Sequence, residues 1–197
     1  MASRIILRCL VLSAVFFTSN CSHQVAGTAG PAGVTEEYQC RADAETGKTF
    51  SLLPTGKYPF TASIPKLVGW RQLPPSVSVA DNLSVVKTME RARAMTMLMI
   101  LAPVDSQEKA AKQLDDFTRL DPEVVLQSTK AVSVCGVSGT RIVGSNDKRG
   151  LQFDYLNVVY RSGNTTFPIQ VRNQMNLADV PLFSVDVDKI LGGFQVS

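Results

Sequence analysis

Two β-favouring runs, residues 151–160 and 166–174, are joined by only Arg161-Ser162-Gly163-Asn164. A polar connection this short, carrying a glycine, joins antiparallel neighbours, because a parallel crossover needs a dozen or more residues. This hairpin commits the chain to an antiparallel sheet, and other segments extend it. Residues 60–65 read as a strand stopped by Pro65. Residues 83–89 and 94–102 form a second hairpin around Glu90-Arg91-Ala92-Arg93, and 126–134 and 140–144 supply two further strands. In the 94–102 run Met95, Met97 and Met99 share one face and Thr96, Leu98 and Ile100 the other. Both faces are largely apolar, which predicts a central strand covered on both sides.

Two segments carry helical periodicity instead. Asp105-Ser106-Gln107-Glu108 has the pattern of a capping box, an oxygen side chain followed three residues later by glutamate. Behind it Ala110, Leu114 and Phe117 recur on one face, flanked by Ala111 and Leu120, so the spacing predicts a helix over 106–119 that ends near Asp121-Pro122. A second helix over 180–191 places Phe183, Val187, Ile190 and Leu191 together, with Gly192-Gly193 as its stop. Phe194-Gln195-Val196 then closes as a short strand or docked tail. Hairpin-linked strands with helices packed on them make an α+β fold built on an antiparallel β-sheet. Of the 197 residues 45% are hydrophobic and 19% charged, enough apolar content for a real core.

The N-terminus is an address. Met1-Ala2-Ser3-Arg4 and Arg8 precede nine uncharged, mainly apolar residues at 9–17, the layout of a secretory signal. A spanning helix needs about 20 such residues, so this run is too short to be one. Polar residues and then Cys21 follow, and a cysteine in this place marks a lipobox, the signal at which a cysteine becomes an acylated N-terminus. Asn20 and Thr18 depart from the small and aliphatic residues such a box favours, and the alternatives are cleavage after a small residue such as Ala26 or Ala29 and an uncleaved signal-anchor. The expected organisation is a signal peptide at 1–20, a lipid-modified N-terminus and flexible tether at 21–47, and a globular domain at 48–197. The stretch Val25-Ala26-Gly27-Thr28-Ala29-Gly30-Pro31-Ala32-Gly33 cannot bury a core and suits a spacer. Each buried acyl methylene contributes about 0.8 kcal/mol, so two or three chains hold a small domain on a bilayer. The expected location is the extracytoplasmic face of the cell membrane.

Cysteine and histidine counts narrow the chemistry. Cys9 leaves with the signal and Cys21 takes the lipid, which leaves Cys40 and Cys135 in a disulfide-permissive compartment. A Cys40–Cys135 bond would close a loop of about 95 residues and contribute roughly 4 kcal/mol on the chain-entropy model; two separate buried thiols are the other reading. His23, the one histidine, falls in the spacer, so the domain has none. That removes Ser-His-Asp triads, Cys-His dyads and most histidine metal sites. With Arg4 and Arg8 removed, 18 basic side chains face 17 acidic ones, too even a balance for a nucleic-acid surface.

The remaining candidates each have a plain alternative. Met95, Met97 and Met99 can line a flexible apolar pocket, although methionines on a central strand are more often core; a thioether copper site lacks any neighbouring histidine or cysteine. Gly136-Val137-Ser138-Gly139 is not Gly-x-Ser-x-Gly, and reads as a turn between strands. Asp115-Asp116 and Asp186/Asp188 read as solvated faces rather than acid–base dyads. Arg91 and Arg93, with Lys87, form a possible patch for anionic headgroups or simply a solvated hairpin tip. No catalytic residue, metal or cofactor is expected.

Several pieces together resemble the actinobacterial LpqN/LpqT lipoprotein family: Cys21 and its spacer, Ser63-Ile64-Pro65 followed by Gly69-Trp70, the arm from Gln152 to Tyr160, and Asp188-Lys189-Ile190-Leu191-Gly192-Gly193-Phe194. The resemblance covers about residues 48–197; Asn20 and the Cys40/Cys135 pair depart from it. It implies a PsbP-like α/β/α sandwich and a non-enzymatic, membrane-tethered module that serves envelope glycolipids or a lipid-export protein. A structural interaction domain without a pocket is one alternative, and a secreted hydrolase with no recognisable motif is the other.

Overall fold

The computed structural model describes residues 36–38, 46–74 and 81–197. In chain order the strands before the first helix are β1 (Glu36–Tyr38), β2 (Thr49–Leu52), β3 (Ala62–Pro65), β4 (Arg71–Gln72), β5 (Asp81–Met89) and β6 (Ala92–Ile100). Helix α1 (Gln107–Thr118) leads to β7 (Val125–Val134), β8 (Val137–Asn146), β9 (Leu151–Ser162) and β10 (Thr165–Asn176). Helix α2 (Val180–Gly192) and β11 (Gln195–Val196) finish the chain. The fold is α+β, as the pattern of hairpins predicts.

The main sheet has the order β1-β7-β8-β9-β10-β6-β5-β4, and a small sheet the order β11-β3-β2. All pairings are antiparallel except β1 on β7. The β9–β10 hairpin at the centre runs unbroken from Leu151↔Asn176 to Ser162↔Thr165. Its turn uses Gly163 at φ 60°, and the β7–β8 turn uses Cys135 and Gly136 at φ 47° and 77°. Left-handed backbone at both central residues matches the twist of the strands it joins.

Alternation along each strand sorts side chains into two layers. On one face Leu156, Val158, Ile169, Val171, Leu98 and Ile100 pack against Phe183, Val187, Ile190 and Leu191 of α2 and against Ala62 and Ile64 of β3. On the other face Ala110 and Leu114 of α1 meet Leu101 and Val159. Beyond the end of α1 a third cluster joins Ile142, Phe153 and Tyr155 with Val124 and Leu126. The helices therefore lie on opposite sides of the sheet.

Three local expectations are corrected. Strand β1 sits inside the segment read as tether, because Glu36, Glu37 and Tyr38 pair with Val132, Ser133 and Val134 along the edge of β7. Helix α1 is capped one residue later than the sequence pattern places it: the Ser106 hydroxyl, not Asp105, accepts from the Lys109 amide at 3.2 Å. Strand β6 is interior, but only Met99 on its α1 side is buried, while Met95 and Met97 are half-buried, since α1 stops short of them. Strands β2 and β4 carry too few residues to show a period in the sequence.

Helix α2 ends where its backbone touches β3. A Cβ at Gly193 would lie 2.2 Å from Pro65 Cγ, so only glycine allows this approach. Strand β11 then pairs Gln195 and Val196 with Ser63 and Ala62, which fixes the C-terminus to the small sheet.

Candidate functional site

A cleft of about 640 Å³ opens between α1, the loop before β3 and the end of β6. Tyr58, Ile100, Leu101, Pro103, Phe117 and Phe167 give it apolar walls. Phe60 packs edge-on against Phe167 at 5.0 Å and lies 5.4 Å from Tyr58, which holds that wall rigid. The polar liners are Lys57, Asp81 and Gln113. Lys57 and Asp81 pair at 3.2 Å, with the lysine largely exposed. The Oε1 of Gln113 is buried and accepts no hydrogen bond. Burial pushes the Tyr58 phenol above its ordinary range, the Asp81 charge adds to this, and a hydrogen bond with Thr55 opposes it. The cleft can hold an apolar group of modest size beside a few polar contacts, and its volume is in the range typical of small-molecule sites.

Beneath the sheet, charged side chains tie elements together. Asp186 of α2 accepts from Trp70 Nε1 and from Lys87 Nζ, each at 2.8 Å. Arg141 of β8 forms a two-pronged pair with Asp154 of β9, reaches Asp188 of α2 at 2.7 Å, and donates to the Tyr38 hydroxyl of β1. Burial by itself would lower the Arg141 pKa, but the Asp154 hydrogen bonds and charge, joined by Tyr38, raise it further above its ordinary value. Asp154 moves up as well: burial raises it, and Arg141 offsets this only in part. Charges tied this closely to neighbouring elements hold the fold in register.

Cys21, His23 and Cys40 lie outside the described residues. Cys135 sits in the β7–β8 turn with Sγ 3.8 Å from the Gly192 carbonyl oxygen. Met95, Met97 and Met99 stand in a row on the α1 side of β6, opposite Gln174, Arg172 and Gln170 of β10, and they do not line the cleft. Ser138 enters β8 directly after a hairpin turn, not a strand-to-helix elbow. Asp115 and Asp116 pair separately with Arg119 and Lys112 on the solvent face of α1.

Asp186 does not conform to the solvated reading: it is largely buried and doubly bonded. Lys87 is drawn to Asp186 on the α2 side, so it does not join Arg91 and Arg93 in one basic patch. The cleft itself escaped sequence reading, because its apolar walls come from four stretches far apart in the chain. Among the described residues no group of three or more His, Cys, Asp or Glu is placed to hold a metal, and no helix is long and apolar enough to cross a membrane.

Taken together, the central hairpin, a helix on each side and the small sheet beside α2 define an LpqN-like α+β sandwich. The fold is similar to the crystal structure of LpqN, involved in cell envelope biogenesis of Mycobacterium tuberculosis, with a TM-score of 0.61. The two chains are 18% identical, and the match covers 81% of this chain and 98% of that one. At this identity the likeness is one of fold. No sequence-family model matches the chain. No curated protein matches it by sequence.

Proposed function

We propose that this protein is a non-catalytic cell-envelope lipoprotein, held by acyl chains on Cys21 at the extracytoplasmic face of the membrane, whose domain binds an envelope lipid or glycolipid or docks a lipid-export partner. The observation that carries the reading is the likeness to nearly the whole length of a protein involved in envelope biogenesis. The sequence supports the anchor through its short apolar run, Cys21 and the small-residue spacer. The cleft supports ligand binding over a purely structural role. Its aromatic walls suit an aliphatic chain, and the donor-less Gln113 oxygen suits a hydroxyl of the headgroup. A domain without histidine, whose prominent carboxylates are engaged in ion pairs, supports recognition over turnover.

Native mass spectrometry of the protein gently extracted from its own envelope tests this. A co-purified lipid or protein is expected. Ala102→Trp, at an exposed residue lining the cleft, should remove a bound lipid while the domain stays folded. A bare, partnerless species from the unaltered protein would overturn the binding role.

A further inference from the structure

Arg172 is a cation that no carboxylate among the described residues pairs with. On the α1 side of the sheet it lies between Met97 of β6 and Tyr155 of β9, its direct cross-strand neighbours. Its guanidinium carbon sits 4.7 Å from the Phe153 ring centre and 5.9 Å from that of Tyr155. One terminal nitrogen donates to Gln174 at 3.2 Å. The Nε is buried and donates to nothing, and no carboxylate among the described residues pairs with the group. Asp121, the acid whose charge acts on Tyr155, is itself held by Arg149 at 3.2 Å. Two other half-buried cations each have a carboxylate partner: Lys87 has Asp186, and Arg141 has Asp154 and Asp188.

The surroundings are as telling as the charge. Thr118, at the last turn of α1, bonds Asn157 and Gln170 at 3.0 Å, and the helix ends there. One strand position further along, Arg172, Gln174, Met95 and Met97 are left half-buried. Unbranched thioether side chains re-pack around varied aliphatic shapes, and a guanidinium beside aromatic rings has a planar fork of donors that suits an oxyanion.

We propose that this face is a binding site for an anionic amphiphile, with its phosphate-type headgroup on Arg172 and its aliphatic chain along Met97 and Met95. The site is separate from the cleft beside Phe117. It extends the reading of the domain as a binding module, but the two can fail independently: the cleft is probed by Ala102→Trp, this face by Arg172→Gln.

The test is a titration of the full-length protein, carrying ¹³C-methyl methionine, in neutral-detergent micelles. The probes are decyl phosphate, inorganic phosphate and decyl glucoside. Decyl phosphate should shift the Met95 and Met97 methyl signals saturably, and leave that of Met175, buried on the opposite face, in place. Arg172→Gln should weaken decyl phosphate at least tenfold, and Arg172→Lys should restore part of the loss. The unchanged Met175 signal reports that each variant is folded. Equal binding of decyl glucoside, or equal binding to Arg172→Gln, would overturn the proposal by removing the role of charge. Equal binding of inorganic phosphate would overturn the amphiphile and leave a simple oxyanion site.

Discussion

Trp70 and Asp186 are joined by a 2.8 Å hydrogen bond across 116 residues of chain, from the indole Nε1 at the start of β4 to a carboxylate on α2. Lys87 of β5 ends on the same oxygen at 2.8 Å. Three elements thus meet on one partly buried anion. Asp186→Ala would leave both a lysine charge and an indole N–H unpartnered. Removing one partner of such a pair costs about 2–4 kcal/mol. Chemical denaturation should show this loss, and Asp186→Asn, which can still accept from Trp70, should lose less.

The contact between α2 and β3 gives a second test. A methyl group at Gly193 would strike Pro65, which is ring-locked and cannot yield as a long side chain would. Gly193→Ala should therefore destabilise by roughly 1–3 kcal/mol, as overpacked interiors do. The C-terminal strand should loosen with it, so the Ser197 amide, which bonds Thr61 at 3.0 Å, should exchange with solvent faster.

Alkaline pH should weaken the fold through two tyrosines. Burial raises the Tyr155 phenol, with Arg172 opposing and Asp121 adding, and Tyr58 is raised in the same direction. In the unfolded chain both ionise near their ordinary value of about 10. Above that pH the unfolded state releases protons that the folded state retains, so stability is full below about pH 10 and falls as pH rises through the folded values. Denaturant melts between pH 9 and 11 should show the decline, and Tyr155→Phe should flatten it.

We further expect Cys135 to be bonded to Cys40. Tyr38 pairs with Val134, so Cys40 follows a paired residue by two positions and Cys135 by one. The oxidised domain should weigh two hydrogens less than the reduced one, and reduction should lower its melting temperature. Identical masses before and after reduction would show two separate thiols.

What the sequence disclosed and what it withheld follow from distance along the chain. The β9–β10 hairpin and both helices rest on contacts within a few residues, and periodicity and turn chemistry show them. The Met95–Met97–Met99 face was equally legible, because alternation along one strand places it. The cleft beside Phe117, the unpaired state of Arg172 and the Trp70–Asp186 bond depend on strands that pair out of chain order, with β10 beside β6 and β1 beside β7. An arginine in a strand looks the same in sequence whether or not a carboxylate later faces it. Strand β1 was hidden for a related reason: three residues make no period, and the edge of β7 supplies its partner.

The membrane-tethered binding module is tested most directly by the intact mass of the protein isolated from its own membranes. The expected result is a chain that begins at Cys21 and carries the added mass of two or three acyl groups. A mass equal to the bare chain starting after Ala26 or Ala29, or to all 197 residues without acylation, would contradict the anchor.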